Sequence, residues 1–302
     1  MCARLIALAV VALLAGGCRE GAPQPPEATS VELPGVLVEA EWLRTHRGSA
    51  ELQLIDARTR DAYRAGHIPG AVSLPASSLD DSSGNLASVS TIEGILSQAG
   101  VRMDRLVVIY DEAVDHRPAA RLLWALEVHG HRRVAVLNGG LPTWRKAAPG
   151  SLETTPSRLA PSRFVAHLRP DRIATRLQVL RASSNRESLL LDARSLPEYI
   201  GKQSSGPRAG HISGAHHHDA SSNLEIDTST GQCSMRDVHT LQSIYADLPR
   251  DRQIISYCNS GKRASVAYLA LRALGFDVAV YDGGWLEWSS HPDLPIDVGD
   301  SQ

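Results

Sequence analysis

Two halves of this 302-residue sequence carry the same segments in the same order. "LIDARTRDAYRAGHIPGAVSLP" (54–75) answers "LLDARSLPEYIGKQSSGPRAGHISGAHHH" (190–218). "DRLVVIYD" (104–111) answers "DRQIISYC" (251–258), and "VAVLNGGLPTW" (134–144) answers "VAVYDGGWLEW" (278–288). A repeat of this kind demands one supersecondary unit built twice. In each unit short apolar runs alternate with helical patterns. "SLLLDA", "QIISY" and "VAVYD" read as strands, and Ala264–Leu274 reads as a helix, apolar except at Arg272 and closed by Gly275. Strands separated by helices predict an α/β fold, each half a mainly parallel sheet covered on both faces. Ligand sites in such sheets lie at the carboxyl ends of strands.

Length and composition fit this plan. The chain is 43% hydrophobic and 21% charged, a globular balance, and long enough for two cores. Its net charge of −2 argues against a broad basic face for nucleic acid. Residues 1–17 read as a signal peptide: one arginine, an apolar stretch from Leu5 to Leu14, then small residues, too short for a membrane span. "LLAGGC" resembles a bacterial lipobox, which makes Cys18 the lipidated residue and 18–30 a polar, Pro-rich tether. Arg19 is not the aspartate of an inner-membrane retention signal. The expectation is an exported protein, periplasmic and anchored to the outer membrane. The first domain is placed at 31–150, a Pro/Ser/Thr-rich linker at 151–170 and the second domain at 171–302.

Of the cysteines Cys2, Cys18, Cys233 and Cys258, only the last two remain as thiols after processing. A Cys233–Cys258 disulfide, a resolving role for Cys233 and no role for it all stay open. Cys258 sits where a strand meets a helix, in "YCNSGKRAS". Gly261 permits a tight turn, so that successive N–H groups can converge on sulfur. The following helix points its positive end at the loop. Lys262 and Arg263 add charge, and no Asp or Glu lies between Asp251 and Asp277 to offset them. All these influences favour a thiolate, whose free thiol has a pKa of about 8.5.

With these motifs the chain resembles a tandem-domain rhodanese over about residues 31–298: "DAR…GHIPGA" and "DAR…GHISGA", "NGGLPTW" and "DGGWLEW", and "YCNSGKRAS". The resemblance implies a sulfurtransferase whose first domain is silent. Asp111 stands at the cysteine position there, and with Glu112 and Asp115 it would repel an anion. In the second domain Cys258 would take the outer sulfur of thiosulfate as a persulfide and pass it to a thiol or cyanide. The amides of Asn259, Ser260, Gly261 and onward to Ala264 would stabilise that persulfide, while Arg263 and Lys262 would grip the sulfonate. "CNSGKR" is similar to the loops of thiosulfate-using members and unlike the "CGSGVT" type of mercaptopyruvate-using ones. Glu198 occupies a place where some members have a substrate-binding arginine, and Arg194 nearby is the candidate to take that role. Trp285 is a pocket candidate, and Trp288, like Trp144, is expected in the core.

No cofactor or metal is expected. Adjacent histidines in "GAHHHD" point to opposite faces of a strand. His67 and His211 recur in both halves and read as structural, as do Asp56 and Asp192. The partners implied are a small anionic sulfur donor, a thiol acceptor and a membrane; no protein acceptor is identifiable. Rival readings are a persulfide carrier or interaction module, a mercaptopyruvate sulfurtransferase, and a phosphatase. The last suffers from Cys258-x4-Arg263, one residue short of the Cys-x5-Arg loop.

Overall fold

The computed structural model describes residues 31–299; the signal segment, Cys18 and the tether lie outside them. The first half runs β1 (Leu37–Val38), α1 (Ala40–His46), β2 (Leu52–Asp56), α2 (Arg60–Ala65), β3 (Val72–Ser73), α3 (Val89–Gln98), β4 (Leu106–Tyr110), α4 (Arg117–Val128), β5 (Val134–Leu137) and α5 (Gly140–Ala147). Its strands form one parallel sheet in the order β1-β5-β4-β2-β3. The second half runs α6 (Arg176–Asn185), β6 (Leu189–Asp192), α7 (Leu196–Tyr199), β7 (His211–Ile212), β8 (His216–His217), β9 (Leu224–Asp227), β10 (Gln232–Met235), α8 (Val238–Ile244), β11 (Ile254–Tyr257), α9 (Lys262–Ala273), β12 (Val278–Tyr281), α10 (Gly284–Ser290) and β13 (Ile296–Asp297). Here the parallel order is β12-β11-β6-β8. The β9–β10 hairpin and the β7–β13 pair are antiparallel side pieces.

The central strands are mostly apolar and buried because both faces of each sheet are covered. β4 ("LVVIY") and β11 ("IISY") are buried at every position. On the outer face of each sheet lies a separate cluster, around Leu43, Leu141 and Trp144 in one half and around Val179, Trp285 and Trp288 in the other. The inner faces share one core, to which both halves contribute: Ile109, Leu122 and Leu126 from one, Val266, Leu269 and Val278 from the other. This explains the all-round burial of α4 from Ala119 to Val128 and of α9 from Ala264 to Leu271, which pack against each other between the sheets. Glu127 of α4 fixes their register by accepting from Tyr268 and from Arg272 Nη2 at 2.9 Å. The connecting segment is not free either. Phe164 enters the shared core, and the Ser162 and His167 amides donate to Ser97 O and His129 O at 2.9 and 3.0 Å.

Both halves keep the same scaffold residues. His67 stacks on Tyr63 and His211 on Tyr199, each at 3.7 Å between centroids. Asp56 binds Arg58, and Asp192 binds Arg194, through side-chain forks of 2.7 and 2.6 Å that stiffen the loop after the strand.

Candidate active site

Cys258 follows β11, whose neighbours are β12 and β6, and it lies at their carboxyl ends. It is 2% exposed. The loop then turns through Gly261, in the left-handed region at φ +73°, straight into α9. The first turn of α10 pins the loop: Trp285 N donates to Cys258 O at 2.7 Å and Leu286 N to Asn259 O at 3.2 Å. This backbone-to-backbone approach needs Gly284, because a Cβ there would collide with Cys258 O and lie 2.7 Å from Asn259 O. Among the described residues the amides from Asn259 to Ala264 donate to no protein acceptor. Ser265 N and Oγ close the turn on Gly261 O at 2.9 and 2.8 Å.

The electrostatics differ from the expectation of an uncompensated positive loop. Three carboxylates distant in sequence reach it. Glu198 takes both arms of Arg263, at 2.6 and 2.9 Å. Burial opposes its charge, but hydrogen bonds from Arg263, Ser195 and Asn259 hold the Glu198 carboxyl well below the usual range. Asp80 of the first half lies 3.6 Å from Lys262 Nζ, whose side chain is 45% exposed. Asp282 packs against Gly261 and binds Arg121 of the first half, which also binds Asp80 at 2.8 Å. The Leu86 amide donates to Asp282 at 2.6 Å, so the first half directly buttresses the loop.

Arg194 and Trp285 support the loop from behind rather than line an open pocket. Both are fully buried, with the guanidinium 4.5 Å over the indole ring. Arg194 Nη1 has no hydrogen-bond partner. Its counterpart, Arg58 Nη1, donates to Glu112 at 2.7 Å; the residue after Cys258 is Asn259 instead. Asn259 Nδ2 reaches Glu198 at 2.8 Å and Ser205 Oγ at 3.0 Å. Ser205 belongs to a segment present only in the second half, where twelve positions separate Tyr199 from His211 against four between Tyr63 and His67.

The corresponding loop of the first half, after β4, is filled from within. The Asp111 carboxylate accepts from the Ala113 and Ala119 amides at 2.9 and 3.2 Å and lies 3.1 Å from His116 Nδ1. Burial opposes the Asp111 charge, yet His116 and these amides keep its carboxyl below the ordinary value. Thus the amides that could hold a ligand hold the protein's own carboxylate.

Cys233 rides on the β9–β10 hairpin against that first-half loop, its amide donating to Ala113 O at 2.7 Å. Both thiols are free and buried. Burial, with Asp111 and Asp115 nearby, pushes the Cys233 thiol up to about 12. The histidine run disperses: His216 is exposed, His217 Nε2 meets Arg194 O at 2.9 Å, and His218 lies against Tyr245. No group of side chains suited to a metal occurs among the described residues.

Sequence reasoning missed the partners Asp80, Arg121 and Asp282, since no local pattern links them to the loop. Glu198 had a signal: "SLPE" is a capping box on Ser195, realised at the start of α7. That box places the carboxylate at the strand-end edge where Cys258 lies.

Residues 39–147 and 175–291 each match the rhodanese-like domain family. A thiosulfate sulfurtransferase of Pseudomonas aeruginosa is 29% identical, over 88% of this chain and 98% of its own length. A 3-mercaptopyruvate sulfurtransferase of Escherichia coli is 30% identical, over 86% and 97%. A solved structure of the enzyme EanB, with ergothioneine covalently linked to a persulfide cysteine, superposes with a TM-score of 0.79 at 25% identity, covering 88% of this chain and 71% of that one. The chain is therefore a member of the rhodanese family of sulfurtransferases, with two rhodanese-like domains.

Proposed function

We propose that Cys258 is the nucleophile of a sulfurtransferase working through a persulfide, with thiosulfate as one donor. The Cys258 thiolate attacks the outer sulfur of thiosulfate; the S–S bond to the sulfonate breaks and its electron pair leaves on sulfite. An acceptor thiolate, or cyanide in an assay, then attacks the terminal sulfur and Cys258 departs as thiolate. The observation that supports this reading is the row of acceptor-free amides from Asn259 to Ala264 around a cysteine at a helix N-terminus. Such donors stabilise an anionic sulfur without reorganising. Mercaptopyruvate is a second donor to test, because a relative named for it is 30% identical. A covalent sulfur intermediate requires ping-pong kinetics. Parallel double-reciprocal lines with varied donor and acceptor, and no turnover in Cys258→Ser, are the expected result; intersecting lines would contradict it.

Export and lipid attachment at Cys18 form a separate part of the proposal, resting on the "LLAGGC" pattern. Membrane-fraction protein that becomes soluble in Cys18→Ser would support it, and an unchanged fractionation would not.

A further inference from the structure

Arg263 is the cation assigned above to a donor sulfonate, yet its fork is already filled. Five donors converge on Glu198: Arg263 Nη1 and Nη2, Ser195 N and Oγ, and Asn259 Nδ2, all between 2.6 and 3.1 Å. That carboxylate is 11% exposed. A sulfonate that took Arg263 would strip Glu198 of a bidentate, charge-assisted contact and would then lie beside the carboxylate it displaced. Lys262 is drawn toward Asp80. Unpaired at the loop are the row of amides, the buried Arg194 Nη1 and the acceptor Asn259 Oδ1. Such a place can hold one anionic sulfur but offers a dianion no buried, unpaired cation, only the half-exposed Lys262.

We infer that Glu198 selects the donor: by occupying Arg263 it disfavours thiosulfate and favours the persulfide of a small thiol. This rests on the reading of Cys258 as the sulfur-accepting nucleophile. With R–S–SH the chemistry needs no cation for a sulfonate and no further reactant. The Cys258 thiolate bonds to the outer sulfur, the R–S–SH bond between sulfurs breaks, and its electron pair leaves on R–S⁻. The outer sulfur keeps its proton, then loses it to solvent, and the amides stabilise the resulting anion.

The test compares rates of sulfur loading onto Cys258, followed by intact mass, with thiosulfate and with glutathione persulfide. Glu198→Gln removes the charge but keeps a residue suited to the Ser195 capping box. Glu198→Ala removes both, and thermal unfolding checks that each variant is folded. In the native protein the persulfide is expected to load faster. In both variants the ratio of thiosulfate to persulfide loading should rise by roughly tenfold or more, since one negative charge close to the donor has gone. Faster loading by thiosulfate in the native protein, or an unchanged or lower ratio in either folded variant, overturns the inference. Failure of both donors to load Cys258 in every one of the proteins is a different result, which overturns the nucleophile reading beneath it.

Discussion

Replacing Arg121 with methionine asks whether the first half holds up the Cys258 loop. Arg121 is 2% exposed and joins two carboxylates, Asp80 at 2.8 Å and Asp282 through Nη1. Its guanidinium also lies 4.8 Å over Trp124. Methionine fills much of the volume but leaves two carboxylates facing each other without their shared cation. Breaking a buried ion pair on one side costs about 3–5 kcal/mol. Lys262, at 3.6 Å from Asp80, offsets little because it is half-exposed. The expected loss in urea unfolding at pH 7 is therefore about 3–4 kcal/mol. Burial already pushes the Asp282 carboxyl above its ordinary value, against the pull of Arg121. Without that pull it rises further, so the folded state binds a proton the unfolded chain has lost. Stability of the variant should then fall as pH rises from the ordinary carboxylate range toward neutrality, and recover on acidification. Because Gly261 packs against Arg121 and Asp282, sulfur loading of Cys258 should also slow by roughly tenfold or more. A loss below about 1 kcal/mol, typical of an exposed pair, would refute the reasoning. So would a stability cost with unaltered loading, since the network would then be structural without supporting the loop.

Gly284→Ala should be severe, because φ is +54° and the new Cβ would collide with Cys258 O. The expected cost is about 2–4 kcal/mol with roughly hundredfold slower loading, and stability within about 0.5 kcal/mol of the native protein would sink the claim. Cys233, with its thiol pushed up to about 12, should resist iodoacetamide at pH 8 in the folded protein and react once urea exposes it. Rapid labelling of folded Cys233 would show that the hairpin does not hold it against the first-half loop.

The fold was legible because its signals are periodic and local. The runs "LVVIY" and "IISY" are buried at every position since helices cover both sheet faces, and the αL glycine that closes α9 is Gly275 itself. The position of Cys258 followed from the same pattern, a strand end meeting a helix start. What escaped was long-range. Lys262 and Arg263 looked uncompensated because the window from Asp251 to Asp277 holds no carboxylate, whereas their partners come from positions 80 and 198. Trp285 looked like a pocket wall because aromatic residues near a loop suit either role; its full burial against Arg194 makes it a support. For the first-half loop the sequence displays charge alone. Its block lies equally in hydrogen bonding, since Asp111 consumes the amides that a ligand would need.

The measurement that bears most directly on the account is intact mass spectrometry of the chain after Cys18, before and after a sulfane donor, beside Cys258→Ser. The account predicts a gain of one sulfur atom, removed by cyanide and absent from the variant. The same gain in Cys258→Ser, or no gain from thiosulfate, mercaptopyruvate or glutathione persulfide, would contradict it.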